Sequence, residues 1–396
     1  MNVLVINAGS SSLKYQLINM VDQQVLCKGQ VERIGIEGSF LKQKGGAEEA
    51  DIHAEIKNHN DAIQMVLEAL TDAKHGVVQS LEEIDAVGHR VLHGGEKFAD
   101  PVLVDEQVIH DLEAIVDLGP LHMPANISGI KACQQAMPVP QVAVFDTGFH
   151  QTMPPKAYLY GLPYEAYEKH KVRRYGFHGT SHLFVSQRAA ELRGTEMGRL
   201  FTCHLGNGSS LCAILDGKCM DTSMGLTPLE GVVMGTRSGD MDPAIVKFIM
   251  EKEHKTIEEM DHYLNKESGV YGLSGVSSDF RDLAKAAAEG HQRAILALDV
   301  FIYRIQKYIG AYAAALGGVD TLVFTAGIGE NDAKMRKDIL TGMEWLGIQL
   351  DDEANQQRGE HKISAPDSKV EVWVIPTNEE LVIARETVRL AKQAKA

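Results

Sequence analysis

Two stretches of the chain share the same order of apolar and polar positions. Residues 3–17 run from an apolar segment through a Gly/Ser turn into a second alternating segment, and residues 200–215 repeat this layout. Ser11-Ser12-Leu13 aligns with Ser209-Ser210-Leu211, about half the chain further on. Each copy predicts two buried strands joined by a turn whose backbone N–H groups form a nest for an anion. The repeat therefore predicts two related lobes facing one polyanion, with phosphate as the first candidate.

Helical and strand-like patterns alternate along the rest of the chain, which predicts an α/β protein. Helical spacing occurs in residues 60–71, 105–117, 182–193, 243–264 and 280–316, and strand-like runs occur at 86–88, 141–145, 321–325 and 370–375. A last helix is predicted from Glu379, with Thr377 as its N-cap and Glu380 completing a capping box. The pattern breaks in the Pro- and Tyr-rich residues 153–167, which indicates a domain crossing near residue 150.

Composition narrows the class of protein and of partner. The 396 residues are 44% hydrophobic and 23% charged, as in ordinary globular proteins, and are enough for two domains. A net charge of −15 argues against nucleic acid or an anionic membrane as a partner, and requires any phosphate site to be locally basic. No apolar segment approaches the ~20 residues of a spanning helix, and no signal peptide is visible. A cytoplasmic protein is predicted.

The five cysteines fit the same compartment. Cys27, Cys133, Cys203, Cys212 and Cys219 form no C-x-x-C pair and show no metal-binding spacing. They are predicted to be small buried apolar residues in a reducing cytosol.

Several positions carry candidate phosphate chemistry, although the chain has no P-loop. Lys14, beyond the first turn, is either a phosphate ligand or a solvated strand-end lysine. Gly327–Asn331 joins a strand to a helix, where free N–H groups favour an anion, but an ordinary tight turn is an equal alternative. Arg90 and Arg237 are both framed by glycines that allow close approach of a ligand, and a loop salt bridge is the alternative for each.

Two further residues fit this chemistry. Asp146 ends a predicted strand, a usual place for a metal-binding or positioning acid in phosphate enzymes. His178 lies in a basic, Gly-flanked loop and could contact a transferring phosphoryl group. His178 and His182 lack the glutamate of a zinc-protease helix, so zinc is not expected there.

Together these segments resemble the acetate kinase family. The strings that carry the resemblance are VINAGSSSLK, GHRVLHGGE, FDTGFHQTMP, RRYGFHGTSH, HLGNGSSLCA, MGTRSGDMDP, TAGIGEN and PTNEEL, which run in family order from residue 5 to residue 381. Any one string is weak, but eight in order are specific.

The resemblance implies a fold and a reaction. It implies two related actin-like or ribonuclease-H-like lobes with an interdomain ATP cleft: an N-terminal lobe (1–150, completed by helix 380–396) and a C-terminal nucleotide-binding lobe (151–379). It also implies Mg²⁺-dependent phosphoryl transfer between ATP and acetate, giving ADP and acetyl phosphate, in a homodimer. Mn²⁺ is an alternative ion.

The resemblance also implies roles for residues at matching positions. Asp146, His178 and Arg237 would be catalytic, and Asn7 and Glu379 would serve the metal. The nucleotide would contact Lys14, His204, Leu205, Gly206, Asn207, Gly208, Asp279, Phe280, Arg281, Gly327, Ile328, Gly329, Glu330 and Asn331. Arg90 would bind the carboxylate or phosphate, and Val91 or Leu92, Leu121, Phe177 and Pro228 would line the methyl pocket.

The chain departs from the family pattern at two positions and leaves alternatives of function. Met123 replaces a common asparagine and leaves a local hydrogen bond in doubt, and Gly148 replaces a common alanine. Propionate and butyrate kinases share the motifs, although Leu92 favours acetate if it faces the acyl group. A non-catalytic nucleotide sensor on the same fold is a second alternative, but it should have lost at least one of the candidate catalytic residues.

Overall fold

The structure, a computed structural model that describes residues 1–394, divides into two compact units. The first unit comprises Met1–Phe149 and the C-terminal segment from Asn378, and the second comprises His150–Thr377. Each unit has its own mixed sheet and its own helices, which confirms the α/β class.

The first unit is built on an eight-stranded sheet of order β5-β4-β3-β2-β1-β6-β8-β7. Its strands are β1 (Asn2–Ala8), β2 (Ser12–Asn19), β3 (Gln24–Glu32), β4 (Phe40–Lys44), β5 (Ala50–His53), β6 (Ala86–Val91), β7 (Val102–Leu103) and β8 (Gln141–Phe145). Its helices are α1 (His59–Thr71), α2 (Glu106–Glu113), α3 (Met123–Ala136) and, at the end of the chain, α14 (Glu379–Ala394).

The second unit is built on a six-stranded sheet of order β11-β10-β9-β12-β14-β13. Its strands are β9 (Arg199–Leu205), β10 (Ser209–Leu215), β11 (Lys218–Thr222), β12 (Thr321–Thr325), β13 (His361–Lys362) and β14 (Glu371–Val374). Its helices are α4 (Pro155–Tyr158), α5 (Tyr164–His170), α6 (Gly179–Arg193), α7 (Ala244–Glu253), α8 (Ile257–His262), α9 (Gly269–Ser274), α10 (Phe280–Ala288), α11 (Gln292–Leu316), α12 (Ala326–Asn331) and α13 (Ala333–Leu340).

The two sheets share one core topology. β1 pairs antiparallel with β2 and parallel with β6, which pairs parallel with β8. In the second unit β9 pairs antiparallel with β10 and parallel with β12, which pairs parallel with β14. The doubled hairpin of the sequence is therefore the first strand pair of each unit, as predicted.

Alternation along the strands fixes what each sheet face contacts. In β1, Leu4 and Ile6 pack in the core that includes α1, whereas Val3 and Val5 pack against Ile383 of α14. In β9, Phe201 and Cys203 pack in the core that includes α11. The alternate residues Thr202 and His204 instead contact His182 and Ser181 of α6.

Three local predictions were wrong in detail. Asn378, not Thr377, caps α14, because its Oδ1 accepts from the Leu381 N–H at 3.1 Å. The helical patterns at 243–264 and 280–316 each contain two α-helices, with breaks between Glu253 and Ile257 and between Ala288 and Gln292. Residues 326–331 form a helix of their own rather than a turn.

Helix lengths and hydropathy bear on membranes as well. Across residues 1–394, no helix combines the length and the apolar character needed to cross a bilayer.

Candidate active site

The first unit gathers four predicted site residues. Asn7, Arg90 and Asp146 stand at the carboxyl ends of the mutually parallel strands β1, β6 and β8, the edge where ligands of such sheets bind. Glu379 is the first residue of α14, and its Oε2 lies 4.0 Å from Arg90 Nε.

Arg90 is the centre of this cluster. Its Nε and Nη2 donate to the two carboxylate oxygens of Asp146 at 2.9 and 2.5 Å, and Nη1 donates to Asn7 Oδ1 at 3.3 Å. Asp146 is fully buried and Arg90 is half-buried. Arg90 therefore forms the salt bridge that was the alternative interpretation of this residue. The two hydrogen bonds to Asp146 fix the orientation of its guanidinium group at the end of β6.

Burial and the neighbouring charges of the cluster raise the pKa of Glu379. Burial raises the pKa of Glu379, the Arg90 charge opposes this rise, and the Asp146 carboxylate adds to it, so the pKa moves from 4.5 to about 7. The Asp146 charge in turn raises the pKa of Arg90, which stays protonated. A cation bound at Glu379 would favour its charged form.

A residue that the sequence analysis missed holds two of these strands in register. The Nδ2 of the buried Asn126 in α3 donates to the Ala8 carbonyl at 2.6 Å, and its Oδ1 accepts from the Leu92 N–H at 2.9 Å. Asn126 thus links the ends of β1 and β6, next to Asn7 and Arg90. An amide at a buried helical position is the only sequence signal for it.

Lys14 stands directly across the hairpin from Asn7. The two residues line a cavity of about 330 Å³ with three more lysines, Lys28, Lys42 and Lys44. This surface of the first unit is therefore locally basic, although Glu380 also lines the cavity.

In the second unit, histidines collect where α6 meets the polar face of β9 and β10. His178 Nδ1 lies 2.9 Å from Ser210 Oγ, which also lies 2.8 Å from His182 Nε2. The ring of His178 stacks on that of His204 with centroids 4.0 Å apart. His178 has a φ of 57°, a backbone conformation uncommon outside glycine and frequent at functional sites.

Arg237 differs from Arg90 in its partners. Its Nη1 donates to the Pro228 carbonyl at 3.1 Å and contacts Met234 Sδ at 3.6 Å, and it forms no ion pair with any of residues 1–394. Burial lowers its pKa, but the group remains charged. A half-buried guanidinium without a carboxylate is well suited to an anionic ligand.

The second hairpin turn connects these groups to a large cavity. A Cβ added at Gly208 would lie 3.4 Å from Arg237 Nη1 and 3.6 Å from the His178 ring, so this turn lies beside both side chains. The turn also lines a cavity of about 700 Å³. The predicted residues that line this cavity are Gly206, Asn207, Asp279, Phe280, Arg281, Gly327, Ile328 and Asn331, joined by Ser278, Ala284 and Asp332, which the sequence analysis missed.

Four other predicted nucleotide contacts are not among the residues that line this cavity. Leu205 is fully buried in the core, and His204 faces Ser181, whose Oγ is 2.8 Å from its Nδ1. Glu330 Oε1 accepts from the Ala326 and Thr377 N–H groups. The carbonyl oxygen of Gly329 accepts a hydrogen bond from Nη1 of the buried Arg336 at 2.9 Å. These residues are placed to support the cavity wall.

The predicted acyl-pocket residues are divided between the units. Leu92 and Leu121 belong to the first unit, where Leu121 is 63% exposed, and Phe177 and Pro228 belong to the second, where Phe177 is buried. Val91 is fully buried in the core, so Leu92 is the better placed of the two alternatives.

The two departures from the family pattern have structural explanations. Met123 is fully buried and packs in the apolar core beside Val91. A Cβ at Gly148 would lie 2.8 Å from the Ala99 carbonyl oxygen, so alanine there would require the backbone to shift.

Comparison with known proteins assigns the family. The sequence profile of the Acetokinase family matches residues 2–385, which include every residue of both clusters. The chain belongs to the acetokinase family. Its relatives include acetate kinases of Treponema denticola (61% identical over 397 residues, 99% of this chain and 100% of the relative) and Agathobacter rectalis (62% over 395 residues, 98% and 100%).

Solved structures of this family share the fold. The crystal structure of Porphyromonas gingivalis acetate kinase matches with a TM-score of 0.95 at 49% identity, covering 98% of this chain and 99% of that chain. A propionate kinase from Francisella tularensis matches with a TM-score of 0.92 at 43% identity and the same coverage. The two-lobed fold predicted by the resemblance is therefore confirmed.

Proposed function

We propose that this protein is an acetate kinase, which transfers the γ-phosphoryl group of ATP reversibly to acetate and forms acetyl phosphate and ADP. One observation carries the proposal. Each of the two units of equal core topology carries a half-buried arginine, Arg90 at the end of β6 and Arg237 beside the β9–β10 turn, and Arg237 has no carboxylate partner among the described residues. Identity near 60% with full-length acetate kinases supports the same reaction.

The nucleotide is assigned to the second unit. Its cavity of about 700 Å³ is large enough for a nucleoside, and it is lined by two Gly-containing segments, Gly206–Asn207 and Gly327–Ile328. Backbone approach at such glycines suits a phosphate chain. Arg281, which pairs with Asp279 at 2.5 Å, would border the cavity from the solvent side.

A divalent ion fits the donor set of the first unit. Asn7 Oδ1, Glu379 and Asp146 offer hard oxygen ligands, the kind that Mg²⁺ and Mn²⁺ prefer. Asn7 and Glu379 would hold the ion, and Asp146 would act through water, since both of its oxygens accept from Arg90. When bound, the ion neutralises phosphate charge.

Acetate needs no general base, because it is a carboxylate at neutral pH. Its oxygen can attack the γ-phosphorus directly and in line, and ADP leaves with the bonding electron pair. The task of the protein is to bring two anions together and stabilise the charge on the phosphoryl group. Asp146 would then position Arg90 rather than accept a proton.

The roles of the cations follow from their surroundings. Arg90 would hold acetate or the transferred phosphate, and Arg237 with His178 would stabilise the transferring group. Ser210 contacts His178 at Nδ1 and orients the ring. The Cε1 and Nε2 atoms of His178 lie on the side of the Gly208 turn. Arginines in such roles contribute ~10³–10⁵ in rate.

Acetate is favoured over longer acids by similarity and by pocket residues. The acetate kinases compared above are 61–62% identical, whereas the propionate kinase is 43% identical. Leu92 is half-buried beside Gly119 and would restrict a longer chain. One methylene changes selectivity by only ~1–3 kcal/mol, so activity on propionate is expected to be weaker but measurable.

A homodimer in the cytoplasm completes the proposal. Large apolar side chains are exposed on four helices of the second unit: Ile245 and Phe248 on α7, Ile257 on α8, Tyr271 and Leu273 on α9, and Leu296 and Tyr303 on α11. Such a set is typical of a protein interface. Light scattering should give the mass of two chains.

The reaction is tested by trapping acyl phosphate. The protein is incubated with ATP, Mg²⁺ and acetate, propionate or butyrate, and hydroxylamine converts any acyl phosphate to a hydroxamate, which is measured as its coloured ferric complex. Acetate should give the highest kcat/KM. Hydroxamate from butyrate in preference to acetate would reassign the substrate, and ATP binding without any hydroxamate would support the nucleotide-sensor alternative.

A further inference from the structure

Three side chains on the polar face of the second sheet have no part in the proposed reaction. His150, Cys212 and Cys219 are all completely buried. Cys212 Sγ lies 3.4 Å from Cys219 Sγ, and His150 Nδ1 lies 3.1 Å from Cys219 Sγ and 3.9 Å from Cys212 Sγ. One nitrogen and two sulfurs therefore converge on one point.

The hydrogen bonding of His150 directs its ring at the sulfurs. His150 Nε2 lies 2.9 Å from the Phe177 carbonyl oxygen, which can only accept, so Nε2 carries a proton and donates. Nδ1 is then the atom that faces both cysteines. Histidines that bind metals are commonly oriented in this way, by a backbone carbonyl on the far nitrogen.

Their surroundings shift the pKa values of the two thiols in opposite directions. Burial alone would raise the pKa of Cys219, but the hydrogen bond from Cys212 and the neighbouring His150 ring together lower it to about 6. Burial raises the pKa of Cys212 well above its usual range. The thiolate is the form of cysteine that binds a metal. A bound cation would neutralise the thiolate and so reduce the energetic cost of burying its charge.

We propose that His150, Cys212 and Cys219 form a binding site for a thiophilic divalent cation of the zinc class, separate from the Mg²⁺ of the proposed reaction. Bond lengths of about 2.0–2.3 Å in a tetrahedral zinc site place neighbouring ligand atoms about 3.3–3.8 Å apart, close to the separations found here. Two metal–sulfur bonds and one metal–nitrogen bond form, the protons of the thiols leave to solvent, and no electron is transferred.

The site is connected to the candidate catalytic histidine. His150 holds the carbonyl of Phe177, the residue before His178. Cys212 follows Ser210 by two positions on β10, on the same sheet face, and Ser210 contacts His178. A bound cation would therefore stabilise the structure that positions His178 without touching substrate.

Spacing in the sequence does not suggest this site. The cysteines were predicted to be buried apolar residues, and all five are buried and unpaired. Cys212 and Cys219 approach because the β10–β11 pairing contains a register shift between Ala213 and Ile214. His150 comes from a different part of the chain, so a local motif could not reveal the set.

The test measures metal in the intact protein. The full chain is expressed in zinc-supplemented medium, purified without chelator, and analysed by mass spectrometry for zinc. About one zinc per chain is expected in the wild type and in the control variant Cys203→Ser. Cys203 on β9 is equally buried, but it packs on the other face of the sheet, in the core that includes α11. Cys212→Ser and Cys219→Ser should lose the ion.

A second measurement needs no variant. Cells grown on cobalt should yield protein with thiolate-to-cobalt charge-transfer bands and the visible spectrum of a tetrahedral ion. Wild-type protein without stoichiometric zinc and without these bands would overturn the proposal. So would a Cys212–Cys219 disulfide in the protein as isolated, or equal zinc content in the wild type and in folded Cys219→Ser.

Discussion

Glu379→Gln is expected to stabilise the protein while weakening its binding of a divalent ion. Glu379 is the proposed metal ligand at the start of α14, and its pKa is about 7 in the folded protein against an ordinary 4.5. Between these two values the folded state binds a proton that the unfolded chain has lost. Stability contributed by this group is present below pH 4.5 and is lost as the pH rises to about 7.

The size of the effect follows from the shift. A pKa change from 4.5 to about 7 corresponds to about 3 kcal/mol of unfavourable interaction of the ionised carboxylate. Glutamine cannot ionise, so the variant should be more stable than the wild type by about 3 kcal/mol above pH 7 and by only about 1 kcal/mol near pH 5. By calorimetry the Tm should rise by several degrees at about pH 8.

Divalent-ion affinity supplies the functional half of the test. Binding of Mn²⁺ to the wild type should strengthen roughly tenfold per pH unit below pH 7 and level off above it, because the ion competes with the proton for Glu379. The variant should bind weakly at every pH. Glu386→Gln, which breaks an exposed ion pair with Arg389 on the same helix, is the matched control for stability. A difference in Tm between Glu379→Gln and wild type that does not grow from pH 5 to pH 8 would refute the reasoning.

Four further substitutions test the site and the fold. Arg90→Ala and Arg237→Ala should each lower kcat at least ~10²-fold with unchanged circular dichroism, and near-normal turnover in either would contradict its role. Ser210→Ala should lower kcat about 5–10-fold with little change in the KM for ATP, because it frees the His178 ring, whereas a purely structural effect would change both. Asn378→Ala should destabilise the protein by ~1 kcal/mol in thermal unfolding, and an unchanged Tm would show that the cap is dispensable.

The fold could be predicted where the pattern is local. The hairpins at Asn2–Asn19 and Arg199–Leu215 follow from period-two alternation and a Gly/Ser turn, and both formed as expected. The cap of α14 was misassigned because Thr377 and Asn378 are both good N-caps. Tertiary contacts decide between them, since the Thr377 hydroxyl is 2.8 Å from Ser181 Oγ.

The site was predictable only as far as motifs mark single residues. The sequence identified Arg90 and Asp146 separately, but their pairing depends on the parallel register of β6 and β8. Asn126 and Ser278 lie outside the motifs. Only the folded chain brings Asn126 to the ends of β1 and β6 and Ser278 to the wall of the cavity. Glu330 lies within a motif, but its side chain accepts a hydrogen bond from the Ala326 backbone N–H instead of lining the cavity.

Transfer of the γ-phosphoryl group to an acetate oxygen is the central claim, and isotopic labelling tests it. Acetate labelled with heavy oxygen is incubated with ATP, Mg²⁺ and the protein, and the products are separated and weighed by mass spectrometry. The account predicts ADP without label and acetyl phosphate that carries all the label of the acetate, formed only when acetate is present. AMP and pyrophosphate as products, or ADP with inorganic phosphate and no acetyl phosphate, would contradict it.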